Sequence, residues 1–138
     1  MSYPTAIQEL YPWQTIINTI DIREDSLAGI KGDYLSFEFD NEAPKVIITN
    51  PPFNLALPII KKALADVADD GYVIMLLRLN FFGSNERFPF FEGNMPEYAY
   101  VHHRRIGFVE GGQTDSIEYM HAVWHKGVNP KFTKLRII

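Results

Sequence analysis

Apolar residues fall in two patterns along this chain: short continuous runs closed by proline or glycine, and one longer stretch at helical spacing. Lys45-Val46-Ile47-Ile48-Thr49 lies between Pro44 and Pro51, the form of a strand buried on both faces of a parallel sheet. From Leu55 to Val67 the residues Ile59, Ile60, Ala63, Leu64 and Val67 recur at helical spacing. Pro58 is tolerated near the first turn, and Asp69-Asp70-Gly71 forms the stop. Tyr72 to Leu77 is a second continuous run. Strand, helix and strand of these lengths predict a βαβ unit with a right-handed crossover.

The flanking segments are shorter. Thr5 to Leu10 reads as the end of a helix stopped before Pro12. Thr15 to Ile20, rich in β-branched residues, predicts a strand that ends at the cluster Asp21, Arg23, Glu24 and Asp25. Ser26 to Gly29 predicts a turn or short helix. The alternation in Leu35 to Phe39 suits either a half-exposed strand or a loop anchored by its aromatics. After Arg78 come an aromatic-rich loop and short helix reaching Phe91. Tyr100 to Phe108 and Glu118 to His125 predict two strands joined as a hairpin through Gly111 to Ser116, and Lys131 to Ile138 predicts an edge strand. Without repeats or linkers, residues 1–138 are expected to form a single α/β domain.

Composition supports a folded chain: of 138 residues, 46% are hydrophobic and 22% charged. The net charge of -4 supplies no global field toward nucleic acid, so any such contact needs a local patch, of which His102-His103-Arg104-Arg105 is the best. The absence of cysteine excludes disulfides, thiolate metal sites and cysteine nucleophiles. His102, His103, His121 and His125 form no persuasive ligand pattern, and no metal is expected. Neither a signal peptide nor a membrane-length apolar run is visible, and the expected location is cytoplasmic.

The chemistry concentrates in Asn50-Pro51-Pro52-Phe53, where the first buried strand turns toward its helix. In open α/β sheets that edge binds ligands. Consecutive prolines remove two backbone donors and fix the backbone, so the acceptors there point in a set direction. An exocyclic amino group such as adenine N6 is a weak nucleophile because its lone pair is delocalised into the ring. The Asn50 side-chain oxygen and the Pro51 carbonyl together can hold both N–H bonds and favour the pyramidal nitrogen, stabilising charge as it develops. Phe53 can stack on the base, which must leave a duplex to arrive. Asn50, Pro51, Pro52 and Phe53 are the candidate catalytic residues.

With this motif the chain resembles the adenine-N6 DNA methyltransferases, especially phage-like members. The resemblance implies a Rossmann-like S-adenosylmethionine-dependent methyltransferase fold, closing in an antiparallel hairpin that Thr114-Asp115-Ser116 and His121 to Trp124 resemble. It implies S-adenosylmethionine as cofactor, with Asp21 at the ribose, Ile22 beside it among the cofactor-binding residues, and Asp33 and Tyr34, from Gly32-Asp33-Tyr34, at the adenine. It also makes Arg78, Asn80, Phe81 and Arg87 candidates for the target-base pocket, although the aromatics among them suit a core equally well. DNA is the implied partner.

The pattern departs from the family in one place. No Gly-x-Gly precedes Asp21, and the first glycine is Gly29. The family's glycine-rich loop approaches the methionine part of the cofactor. Thr5 to Leu10 resembles the helix after that loop, as if the chain starts partway through the domain and lacks the first strand. In the family that strand lies at the sheet centre, between those ending at Asp21 and Thr49. The expectation is therefore a methyltransferase weak or inactive alone, completed by a second copy or another chain, or else a methyltransferase-derived binding module.

Overall fold

The computed structural model describes residues 3, 6, 17, 19–21, 23, 26–40, 42–104 and 117–138. The chain divides into two compact units, Met1–Asp40 and Asn41–Ile138.

In the first unit two short parallel strands, β1 (Ile20–Asp21) and β2 (Ile30–Lys31), pair Ile20 with Ile30 and Asp21 with Lys31. Gly29 N–H donates to Thr19 Oγ1 at 2.8 Å, and Gly32 N–H to the Asp21 carbonyl at 3.0 Å. Beyond β2, Asp33 caps a 3-10 turn over Tyr34–Ser36, its carboxylate accepting from Leu35 N–H at 3.0 Å. Of the two forms open to Leu35–Phe39, the loop is the one adopted: Phe37 and Phe39 meet edge to face with ring centres 4.9 Å apart. The cap explains this, because an aspartate that bonds a backbone N–H two residues on competes with strand geometry.

The second unit is a mixed sheet of five strands, ordered β3-β4-β6-β5-β7. β3 (Val46–Thr49) lies parallel to β4 (Tyr72–Arg78), and the helix α1 (Ala56–Asp66) connects them. The βαβ unit and its boundaries agree with the sequence to within two residues. β6 (Tyr119–His125) runs antiparallel between β4 and β5 (Tyr98–Val101), and β7 (Lys134–Ile137) is the edge strand, parallel to β5. The antiparallel β5–β6 pair and the edge strand are as expected. β5, however, begins and ends earlier than Tyr100 to Phe108, because a short α2 (Phe88–Gly93) delivers the chain into the sheet by Glu97, whose N–H donates to the Val123 carbonyl at 2.7 Å.

One sheet face carries the core. Val73, Met75 and Leu77 of β4 stand opposite Trp124, Ala122 and Met120 of β6, continued by Ala99 and Val101 of β5. α1 lies on them through Ala56, Ile60 and Ala63, spaced four and three residues apart, so they share one helix face. Two alanines there keep the helix close to the sheet. Phe81, Phe90 and Phe91 close the other end. The helix stop is tightly built. Lys126 donates to the carbonyls of Ala65 and Val67 at 3.0 and 2.7 Å, satisfying acceptors that a helix end leaves open.

Apart from Ala6, which is helical, the helix end over Thr5 to Leu10 lies outside the described residues, as do Ile22, Arg105, the Gly111 to Ser116 connection and half of Thr15 to Ile20. Among the described residues no helix is long and apolar enough to cross a membrane.

Candidate active site

β3 ends at Thr49 because Pro51 cannot donate the next ladder bond. The chain then turns: Pro52 is extended (φ -54°, ψ 136°), its carbonyl accepts Leu55 N–H at 2.9 Å, and a 3-10 turn over Phe53–Leu55 leads into α1. The Pro52 carbonyl is thus used within the turn. The Asn50 side chain and the Pro51 carbonyl accept no hydrogen bond from any described residue. These are the two acceptors the motif offers.

They border a cavity of about 150 Å³ lined by Asn50, Pro51, Phe53, Leu76, Leu77, Arg78 and Tyr119. A cavity of roughly this size accommodates one aromatic ring. Its lining combines apolar groups, Leu76 and Leu77, with the polar side chains of Asn50, Arg78 and Tyr119. Asn50 follows the end of β3 and Arg78 ends β4, so both stand at the carboxyl edge of the parallel pair.

Phe53 is 38% exposed and has two cations near it. The Arg78 guanidinium carbon lies 4.8 Å from the ring centre and that of Arg87 lies 5.6 Å away. Arg87 is fixed from beneath. Its Nε donates to the Phe81 carbonyl at 2.6 Å, and its guanidinium covers the Phe81 ring at 4.7 Å. The positions of the expected base-pocket residues therefore differ. Arg78 lines the cavity and Arg87 stands over Phe53, whereas Phe81, 1% exposed, lies in the core edge to face with Phe91. Asn80 is exposed on the 3-10 turn Leu79–Phe82, with its carbonyl accepting Gly83 N–H at 3.0 Å.

Leu76, Leu77 and Tyr119 are lining residues that sequence reasoning did not assign to the site, and Tyr119 is the polar one among them. It is 7% exposed and stands directly opposite Arg78 in the β4–β6 register. The signal was a pairing of β6 with β4, which neither segment displays alone.

The expected cofactor residues lie in the first unit. Asp21 and Asp33 follow one another at the carboxyl ends of the parallel strands β1 and β2. Asp21 is held by Arg23, through the guanidinium at 2.8 Å and the backbone N–H at 2.9 Å. These bonds, the side-chain one first, lower its carboxyl pKa to about 2. Tyr34 opens the turn that Asp33 caps. Asp21 and Asp33 thus stand at or just beyond the ends of neighbouring parallel strands.

No family model matches this chain, and no curated protein matches it. Among solved structures it is similar to a candidate class I S-adenosylmethionine-dependent methyltransferase from Listeria monocytogenes, with a TM-score of 0.66 and 13% identity. That match covers 98% of this chain and 54% of the other, so the chain spans about half the length of that protein. The likeness shows the fold alone: this chain shares with that protein an α/β fold, here with a mixed sheet.

Proposed function

We propose that the chain is an S-adenosylmethionine-dependent methyltransferase acting on the N6 amino group of adenine in DNA. The observation that carries this reading is the pair of acceptors, Asn50 and the Pro51 carbonyl, beside a ring-sized cavity whose exposed aromatic, Phe53, has two guanidinium groups near it, 4.8 and 5.6 Å from its ring centre. An amino group on a planar ring, joined to a phosphate, matches all three features.

In this reading Phe53 stacks on the base, and Asn50 and Pro51 accept the two N–H bonds, drawing the nitrogen toward the pyramidal form whose lone pair is free to attack. Arg78 and Arg87 hold the neighbouring phosphate by charge-assisted bonds. The bound cofactor supplies an electrophilic methyl group. Asp21 and Asp33 would hold its adenosine half. The sequence ahead of Asp21 contains no Gly-x-Gly for the methionine half, so the chain alone is expected to bind the cofactor weakly and to turn over slowly.

The test is transfer of labelled methyl from S-adenosylmethionine to adenine-containing DNA, alongside calorimetric titration of the cofactor. Incorporation that disappears in Asn50→Ala supports the reading. Folded protein that neither binds millimolar cofactor nor transfers methyl removes the stand-alone enzyme, and transfer unaffected by Asn50→Ala removes the role given to Asn50.

A further inference from the structure

The five-stranded sheet has a second face, opposite the one that carries α1, and in the second unit no described helix packs on it. Strand register places Tyr98 and Tyr100 of β5 on that face, opposite Val123 and His121 of β6 on one side and Lys134 and Arg136 of β7 on the other. Tyr98 and Tyr100 lie nearly parallel, their planes 20° apart and centres 5.8 Å apart, and both are partly exposed. The Lys134 ammonium sits 5.8 Å above the Tyr98 ring. Lys134 and Arg136 are exposed.

The charge in this region differs from that of the chain as a whole. Residues 119–138 contain four Lys/Arg and no acidic residue, in a protein whose net charge is -4. Local positive charge beside two partly exposed aromatic rings is what a phosphate backbone with unpaired bases requires, because every base offers a π-face and every nucleotide a charge. A second copy of the chain fits the same edge poorly. Antiparallel pairing of β7 with itself about Leu135 sets Lys134 against Arg136, and pairing about Arg136 sets that arginine against itself, so either register opposes like charges.

The same face leads to the cavity already described. His102 lies just beyond the end of β5, its backbone N–H donates to the Tyr119 carbonyl at 3.0 Å, and its ring meets His121 at 2.7 Å. Tyr119 lines the cavity opposite Arg78.

We propose that this face, from Lys134, Arg136, Tyr98 and Tyr100 toward Tyr119, binds single-stranded nucleic acid, with bases stacked on the two tyrosines and phosphates held by the two cations. The binding site goes beyond the reading of the Asn50 cavity and does not depend on methyl transfer. If both hold, the face delivers an unpaired base to the cavity without the cost of extracting it from a duplex.

The experiment is fluorescence anisotropy with labelled DNA of about twelve nucleotides, the same sequence as RNA, and the corresponding blunt duplex, each at several salt concentrations. Single strands are expected to bind more tightly than the duplex, and the DNA and RNA arms decide which is preferred. The double variant Lys134→Glu/Arg136→Glu, at exposed positions the fold tolerates, should weaken binding by about tenfold or more. Its charge loss should flatten the dependence of log affinity on log salt by roughly 1.4. Tyr98→Leu/Tyr100→Leu should weaken binding by about tenfold or more while leaving the salt dependence unchanged.

Tighter binding of the duplex, absence of binding to any arm, or wild-type affinity in both double variants overturns the proposal. Retained affinity in Asn50→Ala, with methyl transfer lost, keeps the two sites separate and supports it. Single-strand binding that depends on the face in a chain that never transfers methyl removes the catalytic reading and leaves this one standing.

Discussion

The Arg78 guanidinium carbon lies 4.8 Å from the centre of the Phe53 ring, which joins the last residue of β4 to the turn after β3. Neither residue belongs to the core. Phe53 is 38% exposed, so Phe53→Ala should change unfolding free energy by less than about 1 kcal/mol, within the range of surface substitutions. Its loss should cost about 1–3 kcal/mol in affinity for an adenine-containing strand, the worth of one base–aromatic contact. Denaturant unfolding and strand titration of the same variant check both halves. A large loss of stability with unchanged affinity would make Phe53 a packing residue.

Phe81 is expected to behave in the opposite way. It is 1% exposed, meets Phe91 edge to face and carries Arg87 above it. Phe81→Ala should destabilise the fold by about 3–5 kcal/mol, measured as a shift in denaturation midpoint. Its effect on substrate binding should be indirect, through Arg87, whose Nε bonds the Phe81 carbonyl. That carbonyl survives the substitution.

The contrast between these two phenylalanines shows what the sequence disclosed. Val46–Thr49, Ala56–Asp66 and Tyr72–Arg78 were legible because continuous apolar runs and a helical period are local patterns, and the site followed from the turn between the first two. Phe53 and Arg78 were legible with them, as residues at strand ends. Phe81 and Tyr119 were not. Whether an aromatic after a strand faces a cavity or the core depends on the helix packed above it, and Tyr119 reaches the cavity only through the antiparallel insertion of β6 beside β4. Alternation in Leu35 to Phe39 left a strand and a loop equally open until the Asp33 cap selected the loop.

Gly71 is required by space. A Cβ on it would come within 2.6 Å of the Lys45 carbonyl and 2.8 Å of the Ala68 carbonyl. Both are backbone atoms held in hydrogen bonds, Lys45 with Tyr72 N–H and Ala68 with Gly71 N–H, each at 2.9 Å. Gly71→Ala should therefore cost about 1–3 kcal/mol by forcing the α1–β4 turn away from β3. Thermal unfolding of the variant checks this, and an unchanged midpoint would show that the turn shifts freely.

The His102–His121 contact makes stability depend on pH. Burial, and then the charge of a neighbouring histidine, lowers both pKa values from 6.5. The unfolded chain therefore takes up protons first as pH falls below about 6.5, and stability should rise with pH across that window and level off above it. The pair's contribution is present when both rings are neutral and is lost as pH falls through the lowered values. Replacing both histidines with glutamine should flatten the profile below about pH 6.5. Unfolding at several pH values measures this, and an unchanged slope in the double variant would place the dependence elsewhere.

Asp21 gives a spectroscopic test of the first unit. Its carboxyl pKa is lowered from 3.8 to about 2, first by the side-chain bond from Arg23 and then by the Arg23 backbone N–H. A depressed carboxyl contributes stability that is present above the unfolded value and lost as pH falls toward 2. Arg23→Gln removes the guanidinium and keeps the backbone bond, so the pKa should rise part of the way toward 3.8. Carbon-13 NMR titration of the Asp21 carboxyl measures it directly. The same resonance reports on the cofactor, since a ribose held by Asp21 must share or displace the Arg23 guanidinium. Titration with S-adenosylmethionine should shift the Asp21 signal, and Asp21→Asn should weaken that binding by roughly 1.5–3 kcal/mol, the worth of a hydrogen bond to a charged group. A cofactor that binds without moving the Asp21 resonance would remove this carboxylate from the site.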